Sequence, residues 1–469
     1  MITRYLKAVA TMAAVVLVAG TQAISAPDAG PDPSQSSMAT ADAHSNDDHS
    51  RNVRLLRNRP IRITKTKLAQ GSDLAFQGNL LVAGTFEGTA FYRILKRRPY
   101  VRQIGFHDCP GSQGDISIWG RYVVVSVDAP ATNIGKSNIC NNTDNSERKE
   151  GIRIIDISDM RQPRQVKFVE TQCGSHTHVL LPKDNNLFVY VNSYPIVQEP
   201  ACNQANHQIF SIIKFPQRRP RLAKVIGTHP VPQPSIGCHD TTVYPARNLA
   251  VAACLQNTLV LNISKPGVPK TLATITNPEI NFHHSSSFTW DGRYVIVSDE
   301  YNGAAGPGGC VGDKDSMIGA MWFYDIGKNG TPSNPIEAGH YSLPRVPPTD
   351  PDPQRTFRCT THLYNILPMR NPRRYVAAAS YYQGGLSVVD FSDPAAPKEL
   401  GHYMPVRADG TTADSWAAYW YNGRIYSNDH KSKHGIRVFR MWNTGERKVR
   451  FFRTRFNPQV QLRQFQRRR

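Results

Sequence analysis

The chain of 469 residues has no apolar run long enough to cross a bilayer. The longest, Ala8 to Ala19, falls short of the roughly 18 residues a spanning helix needs. It has no Cys-x-x-Cys pair, which removes zinc-finger and thioredoxin-like chemistry. Gly-x-Ser-x-Gly and His-Glu-x-x-His are missing, and the glycine-rich stretch after Gly303 lacks the Lys-Ser/Thr and helix of a phosphate cradle. That stretch reads as a lid or an ordinary loop. No segment of helical length keeps apolar residues at i, i+3 and i+4, so the chain is expected to be all-β. Negative charge is scarce: 36 Asp and Glu face 56 Lys and Arg, and the resulting formal charge of +20 attracts polyanions.

Residues 1–23 combine basic Arg4 and Lys7, the apolar run, and small Thr21 and Ala23, the pattern of a secretory signal peptide; an uncleaved anchor is the alternative. The mature protein is therefore expected in the periplasm or outside the cell, with no transmembrane segment. Residues 24–50, rich in Pro, Ser, Ala and Asp, carry almost no large apolar side chain and are expected to be a disordered tether. The folded domain is expected over 51–455 and a basic tail over 456–469. Nine Lys and Arg fall between Arg447 and Arg469, and removal of that stretch is expected to leave the fold intact.

Between tether and tail one phrase recurs seven times: a turn, a β-rich run, a loop, a second β-rich run, a Pro-bearing turn and a third run. Clear copies are GRYVVVSVD with GIRIIDISDMRQPRQVKFVE, and RRYVAAASYY with GGLSVVDFSDPAAPKELGHYMP. With one strand before each copy, every repeat makes a four-stranded antiparallel sheet that buries little alone. Stacking about an axis fills the core, and the expected fold is a seven-bladed β-propeller. The segment around Asn52 to Lys67 is expected to close the ring against the last blade.

The strings VVDFSDPAAP and IIDISDMRQP resemble the LVIVD-repeat family, exported propellers whose third strand ends in Asp before a Ser-x-Pro turn. The resemblance runs from first blade to last and implies the fold, with almost nothing about function. At the level of fold alone the chain is also similar to selenium-binding and methanethiol-oxidase propellers, which carry a histidine-coordinated copper. Their cysteine and histidine motifs are absent here, so no residue role is carried over.

In four consecutive repeats a His stands six residues before an equivalent Pro or Trp: His176 before Pro182, His239 before Pro245, His284 before Trp290 and His362 before Pro368. The register places each at the entrance of an innermost strand, facing the central channel. Neutral imidazoles converging at one depth could hold copper, zinc, iron or nickel. His178, His283 and Asp240 would then be outer partners or extra ligands. The alternatives are a hydrogen bond to the neighbouring blade and a pH sensor. The other three repeats carry Gly71, Gln113 and Ser415 at this register, which favours a functional role because a structural one would recur all round. Asp128, Asp299, Glu300 and Asp429, near second-strand ends on the same face, are read as loop caps or metal ligands.

Eight cysteines in an exported chain are expected to make four disulfides. Pairing in sequence order would staple the loops over one channel mouth: Cys109 with Cys140, Cys173 with Cys202, Cys238 with Cys254, and Cys310 with Cys359. Two functions follow. One is a monomeric binding or scaffold protein whose partner is a protein or an anionic cell-envelope polymer. The other is a copper- or iron-dependent oxidoreductase acting on a small molecule in the channel. Nucleic acid has only charge in its favour and conflicts with export.

Overall fold

The repeated phrase ends in a side chain that closes its own turn. Asp156 Oδ1 accepts from the Ser158 amide and hydroxyl at 2.9 and 2.6 Å, and Asp390 Oδ1 from those of Ser392 at 3.0 and 2.6 Å. Asn262 and Asp325 cap the equivalent turns through Ser264, Gly327 and Lys328. These bonds end the third strand and let a Pro-bearing turn reverse the chain. The basic residue that opens the second strand pairs with the same acid: Arg121 with Asp156, Arg293 with Asp325 and Arg374 with Asp390, at 3.3, 3.2 and 3.0 Å.

The computed structural model describes residues 47–128, 150–196, 202–301, 309–313, 315–347, 358–406, 412–430 and 434–466. The expected signal peptide, most of the tether, Cys140, residues 302–308 of the glycine-rich stretch and Arg467 to Arg469 lie outside the described residues. The described residues hold no α-helix and are organised almost entirely in antiparallel sheets of the β-propeller type. Four sheets have four strands. A fifth gains one short strand at its inner edge, and a nine-stranded sheet is two four-stranded units plus the edge strand Asp48–His49. Those two units are joined by parallel pairing of Leu363 and Tyr364 with Ala417 and Ala418. Every pairing of a third with a fourth strand shifts register at one equivalent place, for example Ile154/Ile155, Phe323/Tyr324 and Val388/Val389. A bulge there raises the local twist, which a radially stacked sheet requires.

The first strands lie side by side in a closed circuit: Gly71–Gln77, Ile116–Trp119, Thr177–Lys183, Asp240–Tyr244, His283–Phe288, Leu363–Ile366, Ser415–Tyr421, and back to the first. Val53–Arg59 supplies the outermost strand of the last unit by pairing with Ile436–Met441, the closure expected from sequence. Asp48 and His49, within the segment expected to be a tether, pair with Met404 and Tyr403.

The solvated tail expected from residue 456 needs correction. Phe452, Phe456 and Val460 are buried. The strap they belong to passes beneath the ends of the first strands farthest from the histidines. Arg455 and Phe456 pair with Gln77 and Phe76. Asn457 accepts from Ile118 N and donates to Ile118 O at 2.9 and 3.0 Å. Val243 donates to Gln459 O and accepts from Gln461 N, both at 2.9 Å. Apolar residues spaced between the arginines carry the strap inward, where their burial outweighs the charge around them.

Candidate metal centre

Strand pleating decides which histidines face the channel, since successive side chains point to opposite faces. His176, His239, His284 and His362 stand at the entrances of four neighbouring first strands, and all are buried. Their rings follow one another with centroids 4.3, 3.9 and 4.4 Å apart. The Nε2 atoms of His176 and His239 lie 2.8 Å apart.

The protons can be placed from the outer partners. His176 Nδ1 lies 2.5 Å from Asp128 Oδ2, so the proton sits on Nδ1 and Nε2 is left as a lone pair. His362 Nδ1 donates to the Trp416 carbonyl, which leaves its Nε2 in the same state. That atom lies 3.6 Å from Glu300 Oε1, and His284 Nε2 lies 3.6 Å from Glu300 Oε2. Neither ring nitrogen of His284 has a hydrogen-bond partner. Ligand atoms of His239, His284 and Glu300 all fall within 4.8 Å of one another. Lone pairs and a carboxylate thus converge with few protons to share, a donor set that fits a transition-metal cation.

Burial holds the imidazoles of His239, His284 and His362 neutral. It pushes His362 down to about 3, and it lowers His239 and His284 strongly, with repulsion between neighbouring imidazoles adding to the effect. Burial also raises Glu300 to about 7, opposed by the hydrogen bond Tyr382 donates to it. Aromatic rings wall the centre: Tyr194 and Phe282 lie 5.0 and 5.6 Å from His176 and His239, and Tyr382 and Trp416 lie 4.4 and 4.6 Å from His362. None of the four stands out in the sequence by motif or spacing. Tyr382 holds a left-handed backbone at φ 45°, uncommon for a bulky residue, and a Tyr followed by Gln-Gly-Gly was the one available signal.

The expected outer partners belong elsewhere. His178 lies two residues deeper, with Nδ1 2.8 Å from Ser126 Oγ and 3.0 Å from Asp115 Oδ2. His283 points to the opposite face, where its Nδ1 meets Thr258 Oγ1 at 2.8 Å. Asp240 accepts from its neighbour Thr241 N at 2.8 Å. The four acids near second-strand ends have different partners. Asp128 and Glu300 reach the histidines. Asp299 accepts from Phe282 N and Gly319 N at 2.9 and 3.0 Å, and Asp429 accepts from Asp414 N and Arg437 Nη1 at 3.0 and 2.7 Å.

Three disulfides join Cys173 to Cys202, Cys238 to Cys254 and Cys310 to Cys359, in the expected order. Cys173, Cys238 and Cys359 precede His176, His239 and His362 by three, one and three residues. The bridges therefore tie the entrances of three histidine-bearing strands. Cys109 is also disulfide-bonded, and its expected partner Cys140 lies outside the described residues.

The family model of the LVIVD repeat matches residues 375–405. The chain carries an LVIVD repeat. The matched part spans Val376–Ser380, Leu386–Asp390 and Lys398–Met404, the second to fourth strands of the unit that opens with His362. No curated protein matches the chain. Disulfides and the repeat family are both consistent with a place outside the cytoplasm. Among the described residues no helix is long and apolar enough to cross a membrane.

Proposed function

We propose that this protein is an exported, seven-bladed propeller that holds one copper or iron ion at one mouth of its channel and uses it to oxidise or reduce a small molecule. The observation that carries the reading is the convergence of four buried imidazoles with His176 Nε2 and His239 Nε2 only 2.8 Å apart. Imidazole nitrogens suit both metals, and the ion would supply one-electron chemistry beside the aromatic wall. His176, His239, His284 and His362 would be its ligands, with Glu300 close enough to join them. The binding or scaffold role has no comparable arrangement at this mouth.

The chain's own residues take defined parts. Asp128 and the Trp416 carbonyl fix the tautomers of His176 and His362 and aim both Nε2 atoms inward. Glu300, supported by Tyr382, is placed to take a proton from a bound molecule or return one to it. Tyr194, Phe282 and Trp416 exclude water from the same space.

Elemental analysis of untagged protein from its own export compartment tests the reading. Near-stoichiometric copper or iron is expected, and its loss in a His239→Ala, His284→Ala double variant that keeps a β-type far-ultraviolet spectrum. Wild-type protein that is metal-free and takes up neither metal on titration would sink the proposal.

A further inference from the structure

The basic charge has a built receptor on the opposite face of the ring, beside the C-terminal strap. Two adjoining clefts of about 610 and 820 Å³ share Gly423, Arg440, Phe451 and Gln466. Three chain segments bring their cations together. Arg440 comes from the strand Ile436–Met441. Arg447 comes from the short 3-10 turn Glu446–Lys448, and Arg450 follows it. Arg370 is held against this stretch by backbone bonds, from Arg370 N to Lys448 O at 2.7 Å and from Arg450 N to Pro368 O at 2.8 Å.

These four arginines form no ion pair with an acid of the described chain. The one acid lining the clefts, Glu446, turns its carboxylate to Thr444 N at 3.2 Å. Four guanidinium groups against a single carboxylate attract a polyanion, and their planar forks suit carboxylates. The clefts also present rings. Phe451 is 41% exposed although it packs against Trp420 at 5.7 Å, and Trp442 and Phe465 line the same space. A concave cleft lined by both guanidinium groups and aromatic rings matches a chain carrying acids on apolar-faced rings. A flat lipid surface would meet protruding residues instead.

We infer that this groove binds an acidic polysaccharide, with uronate carboxylates on Arg370, Arg440, Arg447 and Arg450 and a sugar ring on Phe451. The site lies at the far end of the propeller from the histidines and does not rest on metal binding. It would anchor the protein to an anionic matrix and leave the other mouth free.

The test is calorimetric or surface-based binding of the full exported chain to a polyuronate such as alginate, with neutral dextran and phosphatidylglycerol vesicles as comparisons. Alginate is expected to bind in a salt-sensitive way and dextran not to bind. Arg440→Glu with Arg450→Glu is expected to weaken alginate binding at least about tenfold, because like charges facing one another across an interface are costly. Phe451→Ala is expected to weaken it about threefold to tenfold, the range of a lost aromatic contact. Both variants should keep the β-type far-ultraviolet spectrum and the metal content of wild type. Undiminished alginate binding by the charge-reversal variant overturns the inference. So does equal binding of dextran, or binding confined to the vesicles.

Discussion

Asp128 and His176 come from neighbouring sheets, 48 positions apart in the chain, and meet at 2.5 Å with both side chains buried. The contact fixes which imidazole nitrogen keeps the proton. Asp128→Asn retains the size and can still hydrogen-bond, but it removes the charge that holds the proton on Nδ1. Metal affinity is expected to fall about 10- to 100-fold, the usual effect of losing an outer partner of a ligating histidine. Competition titration against a chelator measures this directly, and unchanged affinity would separate Asp128 from the centre.

Deeper in the channel, Asp73 accepts from the Tyr419 hydroxyl at 2.6 Å, and its other oxygen has no donor. Burial, then the charge of Asp115, holds the Asp73 carboxyl well above its ordinary range. The folded state therefore keeps a proton that the unfolded chain releases above about pH 4, and the contribution of Asp73 to stability declines as pH rises from there. Asp73→Asn is neutral at every pH. Its melting temperature is expected to fall less than that of wild type between pH 5 and pH 8, and parallel curves would contradict the assignment.

The C-terminal strap makes a prediction opposite to the one its charge suggests. Truncation after Val449 exposes the surface that Phe452, Phe456 and Val460 cover, each worth about 1.5–3 kcal/mol when fully buried. The truncated chain is expected to unfold at clearly lower denaturant concentration or to fail to accumulate. Asn457→Ala is the milder probe. It leaves the Ile118 amide without its 2.9 Å partner, at a cost of about 1–3 kcal/mol. Wild-type denaturation midpoints for both would return the strap to a passive tail.

Local chemistry made the repeat legible in sequence. The Asp-x-Ser turn is closed by atoms two residues apart, as at Asp390 and Ser392, so it leaves the same short string wherever it occurs. The six-residue spacing from His to Pro survives for a related reason, since it measures one first strand. The choice of outer partners was not legible, because it depends on packing between sheets. His283 and His284 are adjacent letters, yet pleating sends one to Thr258 and the other to the channel. His178 shares a face with His176 but sits about 6.6 Å deeper at the rise of a β-strand. Asp128 and Glu300 stand at the same register at the end of a second strand and both reach histidines, whereas Asp299, one residue before Glu300, points to the other face and accepts from loop amides. The strap was misread because Arg447 to Arg469 stand out by charge, whereas Phe452, Phe456 and Val460 act by position.

The bond between Cys238 and Cys254 offers a last separation of scaffold from site. It closes 16 residues and places one half-cystine directly before His239. A loop of that size contributes about 3 kcal/mol by restricting the unfolded chain. Replacing both cysteines by Ser should lower stability by about that amount. If the bridge also holds the entrance of the His239 strand, metal should dissociate faster from the variant under conditions where it is still fully folded. Cys173→Ser with Cys202→Ser acts in the same way on the His176 strand. Reduced stability with unchanged metal release in both pairs would mean that the bridges support the propeller and leave the centre to its own packing.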